Sequence, residues 1–263
     1  MALQAFFEDP ELQRFFLVFI RLTGLMVFAP PFMNQRLSLQ LKGGLVFFLT
    51  MAIFPTVKQA PTVIPYNFIE VCIASVGELV IGFTIGFSVS LLLSIFEMAG
   101  ELIDKQIGFA MASLVDPQTD ITVSILSSLL MNLALFIFID VGGHLWLIKT
   151  FAGSFISLPL LEFKFNQQGL IFHMSEMFAK SFDCALSLSY PILTVITLIY
   201  VAQGFLQRTI PQFQIFVIGF IFTITAGITS IQLLLANFEG ITEALIEQYQ
   251  EKAMFIISHL NHG

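Results

Sequence analysis

The amino-acid sequence predicts an all-α integral membrane protein with about six to eight hydrophobic helices in bent helical hairpins. Hydrophobic residues make up 57% of the 263 positions, and charged residues only 11%. The mean hydropathy of +0.89 points the same way. Apolar runs recur along nearly the whole chain and are separated by segments rich in proline and polar residues. This composition excludes an ordinary soluble protein.

The helices are predicted from six apolar runs that carry few charges. The run 69–99 is too long for a simple span, because a continuous helix over it would be roughly 46 Å long against a hydrocarbon core of about 30 Å. Pro191 lies inside another long run and removes a backbone donor, which predicts a kink or a break into two helices. The six runs are 12–29, 41–57, 69–99, 121–140, 173–204 and 213–238, and a shorter seventh at 141–159 is ambiguous.

Several classes of function are disfavoured by composition and motifs. The net charge is -7 and Lys and Arg form no cluster, which argues against nucleic-acid binding. Cys72 and Cys184 both lie in apolar runs, where a thiol behaves as a small hydrophobe, so neither a disulfide nor a metal site is predicted. The sequence contains no Gly-rich phosphate loop, no His-Glu-x-x-His and no Gly-x-Ser-x-Gly motif. We therefore expect no enzymatic activity and no cofactor.

Ionisable side chains occur inside the apolar runs, where each costs about 2.5 to 3.5 kcal/mol at bilayer depth. They must face protein or water, either as a proton or ion relay or as charge pairs at subunit interfaces. Glu176, Lys180 and Asp183 share one helix face and can neutralise one another. The charges inside the runs are Arg21, Glu70, Glu78, Glu97, Lys180 and Asp183.

Gly82 and Gly86 form a small-xxx-small pair close to Glu78. Small residues at this spacing let the backbone of another helix approach closely. A carboxylate beside them indicates that protein, rather than lipid, covers this face. We therefore expect a packed helix contact that tolerates polar groups.

A polar insertion, GELIDKQIGFAMASLVDPQTD at 100–120, separates two very apolar runs. Glu101, Asp104 and Lys105, together with Glu97, fall on one helix face, and Glu101 and Lys105 are ordered as an i, i+4 ion pair. If the first three faced lipid at mid-depth, the cost would be roughly 8 to 10 kcal/mol, so they must lie elsewhere. Small and apolar side chains then alternate over Gly108, Phe109, Ala110, Met111, Ala112, Ser113, Leu114, Val115, Asp116 and Pro117.

Irregular backbone at membrane depth is tolerated only where protein buries it or water bathes it. The insertion therefore predicts either a re-entrant or pore-lining element, or an ordinary solvent loop.

The C-terminal segment 239–263 predicts an amphipathic acidic helix, because glutamates recur there every four residues. Its acidic face suits solvent or a basic partner. These glutamates are Glu239, Glu243, Glu247 and Glu251.

Six motifs occur in a fixed order over nearly the whole chain. They are RLTG at 21–24, GELVIGFTIG at 77–86, GELIDKQIGFAMASLVDP at 100–117, GGHLWLI at 142–148, SFISLP at 154–159 and RTIPQFQIFVIG at 208–219. Together they resemble the FliR family of flagellar type III protein-export subunits. Phe213, Gln214 and Phe220 depart from the pattern of that family.

The resemblance implies a single membrane-embedded export-gate domain over 1–263, in the bacterial inner membrane at the flagellar basal body. One FliR-like subunit would join several FliP-like and FliQ-like subunits in a helical cone around a channel. An FlhB-like protein would associate with the cone, and unfolded flagellar proteins would pass through it.

The resemblance also implies that residues matching 105–120 lie in the channel as a plug, with Phe109, Met111 and Leu114 in the closed-state seal. Within the last motif, Arg208, Pro211 and Gln212 become candidate subunit contacts. Two alternatives remain. One is the related injectisome subunit, and the other is a secondary transporter that couples to an ion through Arg21, Glu78, Lys180 and Asp183.

Overall fold

A computed structural model describes residues 9–29, 38–57, 68–108, 124–161, 167–209 and 215–259. These residues form eight α-helices and one short 3₁₀ helix, and none of them forms a strand. The prediction of an all-α membrane protein is therefore confirmed. In chain order the helices are α1 (Pro10–Phe28), α2 (Leu39–Ile53, followed by the 3₁₀ helix Phe54–Thr56), α3 (Phe68–Ile107), α4 (Ile125–Asp140), α5 (Gly143–Ser157), α6 (Gln167–Thr209), α7 (Ile215–Ala236) and α8 (Phe238–His259).

Polar side chains and glycine define several helix ends. The Asp9 carboxylate accepts a hydrogen bond from the N–H of Glu11 at 3.0 Å and so caps α1. The Ser124 hydroxyl caps α4 in the same way, accepting from the N–H of Ser127 at 3.0 Å. Gly142 adopts φ +79° between α4 and α5, a left-handed conformation that favours glycine.

Four helices of the described residues are long and apolar enough to cross a membrane. They are α2 with its 3₁₀ extension, α3, α6 and most of α7, and the bent pair of α4 and α5 adds a fifth if it forms one span. The first predicted run became α1, which is not among them. The reason is that Glu11, Arg14 and Arg21 give this short helix too much charge.

The long runs become single helices. α3 has 40 residues and α6 has 43, so each is about 60 Å or more in length, well beyond a hydrocarbon core of about 30 Å. α6 continues through Pro191. Of the two outcomes predicted at this proline, the break into two helices is therefore wrong, and the kink stays a prediction. Proline is tolerated inside apolar helices where neighbouring groups satisfy the carbonyl that loses its donor.

The chain divides into two compact units, described separately below. The first unit comprises Met1–Leu91, Gly142–Phe178 and Ile246–Gly263, and the second comprises Leu92–Val141 and Ala179–Leu245. In the first unit, α1 and the start of α3 contribute fully buried aliphatic side chains to the core. In the second unit, the ring of Phe96 packs edge to face against that of Phe238, with centroids 5.3 Å apart.

Candidate functional site

The first unit encloses an ion pair between α1 and α3. Nε of Arg21 donates to Oε2 of Glu78 at 2.5 Å, and the two side chains are 0% and 1% exposed. A single buried charge costs several kcal/mol, so each residue is tolerated inside the fold because the other neutralises it. Two charges that the sequence analysis identified separately thus lie together in one chain.

The remaining donors of Arg21 connect α1 to α5. Nη1 donates to the hydroxyl of Ser154 at 3.1 Å, and Nη2 donates to the carbonyl oxygen of Leu158 at 3.0 Å. The guanidinium carbon lies 4.1 Å from the ring centroid of Phe155, a cation–π contact. The planar guanidinium therefore meets a carboxylate, a hydroxyl and a carbonyl through three separate nitrogen atoms and also lies against a ring, whereas a lysine side chain has a single nitrogen.

Glu78 has a second partner on the segment after α5. The backbone N–H of Leu161 donates to the Glu78 carboxylate. Leu161 has φ +70°, a left-handed conformation that costs free energy for a residue with a branched side chain. We call Arg21, Glu78, Ser154, Leu158 and Leu161 the buried charge cluster. It joins three separate parts of the first unit through hydrogen bonds.

Three glycines bring α1 and α3 into backbone contact beside the buried charge cluster. A Cβ on Gly82 would overlap the carbonyl oxygen of Arg21, and a Cβ on Gly24 would lie 2.5 Å from the carbonyl oxygen of Leu79. A Cβ on Gly86 would lie 2.5 Å from the carbonyl oxygen of Leu25. The two helices are therefore closer than any residue with a side chain would permit at these positions.

In the second unit, the charges at the end of α3 separate into two groups. Glu101 and Lys105 are exposed and form the expected i, i+4 pair, with Nζ 2.6 Å from Oε1. Asp104 is only 5% exposed. Within the described ranges its buried Oδ1 atom has no hydrogen-bond partner. Glu97, Glu101 and Lys105 lie four residues apart, whereas Asp104 is rotated about 100° from Lys105 around the helix and turns inward.

α3 ends at Gly108, where the predicted plug segment begins. Gly108 has φ +93°, and its N–H donates to the carbonyl oxygen of Asp104 at 3.1 Å. This is the glycine-terminated end that many helices share. The hydroxyl of Tyr200 on α6 donates to the carbonyl oxygen of Gln106 at 2.8 Å. The side-chain amide of Gln106 in turn donates to the hydroxyl of Thr197 at 3.4 Å.

The other predicted residues are dispersed. Lys180 is half-buried and Asp183 exposed on α6, while Glu176 lies 3.4 Å from Lys252 of α8. Arg208 is exposed in the last turn of α6. The four glutamates of α8 are all exposed. The remaining candidates, Phe109, Ala110, Met111, Ala112, Ser113, Leu114, Val115, Asp116, Pro117, Pro211 and Gln212, lie outside the described residues.

Sequence reasoning missed the partners of Arg21 and the contacts at the end of α3. Ser154 begins the SFISLP motif. A serine in an apolar helix usually forms a hydrogen bond with its own backbone, so it gave no signal of a charge partner. Tyr200 is one of four tyrosines in a chain with 31 phenylalanines, and this scarcity of hydroxyl-bearing rings was the available signal. Among the described residues, no three His, Cys, Asp or Glu are placed to hold a metal.

Known proteins match almost the full length of the chain. A family model described as "Bacterial export proteins, family 1" matches residues 12–249. The flagellar biosynthetic protein FliR of Pectobacterium carotovorum subsp. carotovorum is 31% identical over 252 residues, which cover 94% of each chain. FliR of Escherichia coli (strain K12) is 30% identical over 249 residues, 95% of this chain and 94% of the relative.

A relative that is not named FliR also matches. The Yop proteins translocation protein T of Yersinia pestis is 26% identical over 240 residues, 90% of this chain and 88% of the relative. The family model and the two FliR proteins each cover far more than half of the sequence. The chain therefore belongs to family 1 of the bacterial export proteins, the family of FliR.

Proposed function

We propose that the protein is a subunit of the flagellar type III export gate and forms part of the channel through which unfolded flagellar proteins cross the inner membrane. Family membership over residues 12–249 carries this proposal. The protein acts as a structural component of the export apparatus and catalyses no reaction. The export energy comes from other components.

The assembly contains FliP-like and FliQ-like subunits around a common channel, with an FlhB-like protein attached, at the flagellar basal body. The surface of the chain supports a shared assembly. α2 is apolar yet mostly exposed, with Leu39 at 85% and Phe48 at 71% exposure. An apolar surface of this extent must be covered by lipid or by other subunits. The predicted helical cone supplies both kinds of cover.

Residues 108–117 act as the plug of this channel. The proposal is supported by the position of the segment directly after α3, whose last turns carry the exposed ion pair of Glu101 and Lys105. These charges would be costly against lipid and are tolerated beside a hydrated passage. The alternation of small and apolar side chains suits a segment that packs in the closed state and is displaced during export.

Two alternatives make different predictions. An injectisome subunit is favoured by the likeness to the Yop translocation protein, but the FliR proteins of Pectobacterium carotovorum subsp. carotovorum and Escherichia coli are more similar, at 31% and 30% against 26% identity. A secondary transporter would need an ion to reach Arg21 and Glu78. Both side chains are enclosed and bonded to each other, which favours a structural role for this pair.

A secretion assay tests the proposal. We expect deletion of the gene to abolish secretion of flagellar hook and filament proteins, and a plasmid copy to restore it. A plasmid copy carrying Ala112→Trp should assemble with its partners but secrete abnormally, because a bulky residue cannot repack in the plug. Normal flagellar secretion without the gene would contradict the proposal. Transport of a small solute by the purified chain alone in liposomes would favour the transporter.

A further inference from the structure

The last turn of α3 carries backbone carbonyls that have no partner within the helix. Two of them are satisfied by groups outside the regular helix. The carbonyl of Asp104 accepts from Gly108, and the carbonyl of Gln106 accepts from the hydroxyl of Tyr200 at 2.8 Å. The Tyr200 hydroxyl of α6 therefore supplies the hydrogen bond that a backbone N–H in a further turn of α3 would otherwise donate.

A second contact from α6 lies one turn away. Thr197 and Tyr200 are three residues apart and share a helix face. The Thr197 hydroxyl donates to the carbonyl of Leu193 at 2.7 Å, which leaves its oxygen free to accept from the side chain of Gln106 at 3.4 Å. α6 thus bonds both the main-chain carbonyl and the side-chain amide of Gln106.

α7 also packs against the end of α3. A Cβ on Gly227 would lie 2.6 Å from Cδ1 of Ile107, so Ile107 packs directly against the α7 backbone. α6 and α7 are themselves joined, because the side-chain amide of Gln203 donates to the carbonyl of Gly219 at 3.1 Å and lies 3.3 Å from the hydroxyl of Thr223. The end of α3 is therefore fixed against a pair of connected helices.

We propose that Tyr200 is a positioning residue that holds the end of α3, at Ile107 and Gly108, against α6 and so fixes the point at which the chain leaves the helix. The inference rests on the proposed function only in assigning the segment that follows, 109–117, to the channel plug. Its structural content, the anchoring of the helix end by α6, stands on the contacts of Gln106 and can be tested separately.

Tyr200→Phe removes the donor and keeps the ring. Tyr190→Phe is the matched control, since Tyr190 is also an exposed tyrosine on α6 and no hydrogen bond from its hydroxyl occurs among the described residues. Gln106→Leu is a second variant, which removes the side-chain bond to Thr197 and leaves the backbone carbonyl in place. Co-purification with the partner subunits shows that each variant assembles.

The measurement is an electron-spin distance distribution in the purified complex, between labels at residue 112 and at the exposed Leu129 of α4. Loss of one net hydrogen bond shifts a two-state population by roughly fivefold. We expect Tyr200→Phe to raise the population outside the main distance peak by about that factor, Gln106→Leu to act in the same direction, and Tyr190→Phe to match the parent. An unchanged distribution in Tyr200→Phe would overturn the inference.

A second readout separates this inference from the plug proposal. Ion leakage through the assembled complex is measured for Tyr200→Phe and for a deletion of residues 109–117. A broadened distribution with leakage in both supports both ideas. A broadened distribution without leakage in the deletion keeps the anchoring role of Tyr200 and rejects the plug. Leakage in the deletion with an unchanged distribution in Tyr200→Phe keeps the plug and rejects the anchor.

Discussion

Glu78 and Asp104 are both buried carboxylates on α3, but their surroundings differ. Glu78 receives hydrogen bonds from Arg21 and from the backbone of Leu161. The Oδ1 atom of Asp104 has no such donor in the part of the chain that the structure describes. Burying a carboxylate costs free energy unless donors replace the water it loses. Neutralising Glu78 should therefore destabilise the protein, whereas neutralising Asp104 should not.

Glu78→Gln should destabilise the protein strongly. The amide leaves the positive charge of Arg21 buried without a counter-charge, which in comparable pairs costs about 3 to 5 kcal/mol. We expect a lower melting temperature of the purified complex and less protein in the membrane. Glu101→Gln breaks an exposed pair and should cost less than about 1 kcal/mol.

A double variant separates the effect of losing the ion pair from the effect of leaving the charge of Arg21 without a partner. Arg21→Met combined with Glu78→Leu removes both charges, and we expect it to be more stable than Glu78→Gln alone. It should not reach the parent, because the carbonyl of Leu158 and the N–H of Leu161 lose their partners. Equal melting of the parent and Glu78→Gln would refute the structural role of the pair.

Asp104→Asn should leave the melting temperature unchanged or raise it. The side chain keeps its shape, and the cost of keeping a charge at a buried position where Oδ1 has no donor among the described residues disappears. The melting temperature of the purified complex measures this directly. A drop as large as that of Glu78→Gln would mean that Asp104 has a charged partner beyond the described residues.

The sequence identified Arg21 and Glu78 as buried charges but not as partners. Insertion cost is a local property, so each residue could be recognised from its apolar neighbours alone. Pairing depends on how α1 crosses α3, across 57 positions of sequence, and no periodicity encodes that crossing. Leu158 and Leu161 act through backbone groups, which any residue carries, and so gave no signal.

At the scale of helices, the α1–α3 crossing depends on glycine. The small-xxx-small spacing of Gly82 and Gly86 pointed to a close contact, and the structure adds Gly24 from the opposite helix. The crossing also sets the distance between Arg21 and Glu78, which lie on these same two helices. Packing and charge pairing therefore depend on each other.

Gly82→Ala should destabilise the first unit, because its Cβ would overlap the carbonyl oxygen of Arg21 and force the helices apart. Overpacking typically costs about 1 to 3 kcal/mol. Gly153→Ala on α5 is the control, since nothing lies within 4 Å of the added Cβ. There we expect a neutral or slightly stabilising effect, because alanine is about 1 kcal/mol better than glycine in a helix. Equal melting temperatures of the two variants would contradict the close crossing.

The sequence predicted where the helices occur better than whether a long helix continues without a break. Apolar runs correctly located the long helices, since length and composition alone decide whether a segment suits a bilayer. Of the kink or break expected at Pro191, the break did not occur, because a proline removes one hydrogen bond from a helix of 43 residues whose other bonds remain. The contacts that end α3 come from α6, about ninety positions later, and could not be read from the local sequence.

At the scale of the whole molecule, the described residues include an apolar surface that lipid or other subunits must cover and a charged helix end that requires water. Only 17% of the apolar stretch of α2, and the same share of that of α7, is buried by the rest of the chain. Glu101 and Lys105 are exposed at the end of α3. A subunit of the proposed channel would satisfy both requirements, because neighbouring subunits and lipid would cover the apolar helices and the passage would hydrate the charges.

The most direct test of this account is site-specific photocrosslinking in the assembled complex with a secreted polypeptide stalled in transit. A photoreactive residue at Met111 should crosslink to the stalled polypeptide. The same residue at Phe48, exposed on α2, should crosslink to lipid or to partner subunits but not to the polypeptide. Crosslinks from Met111 to lipid alone would contradict the central claim that the segment after α3 lies in the export passage.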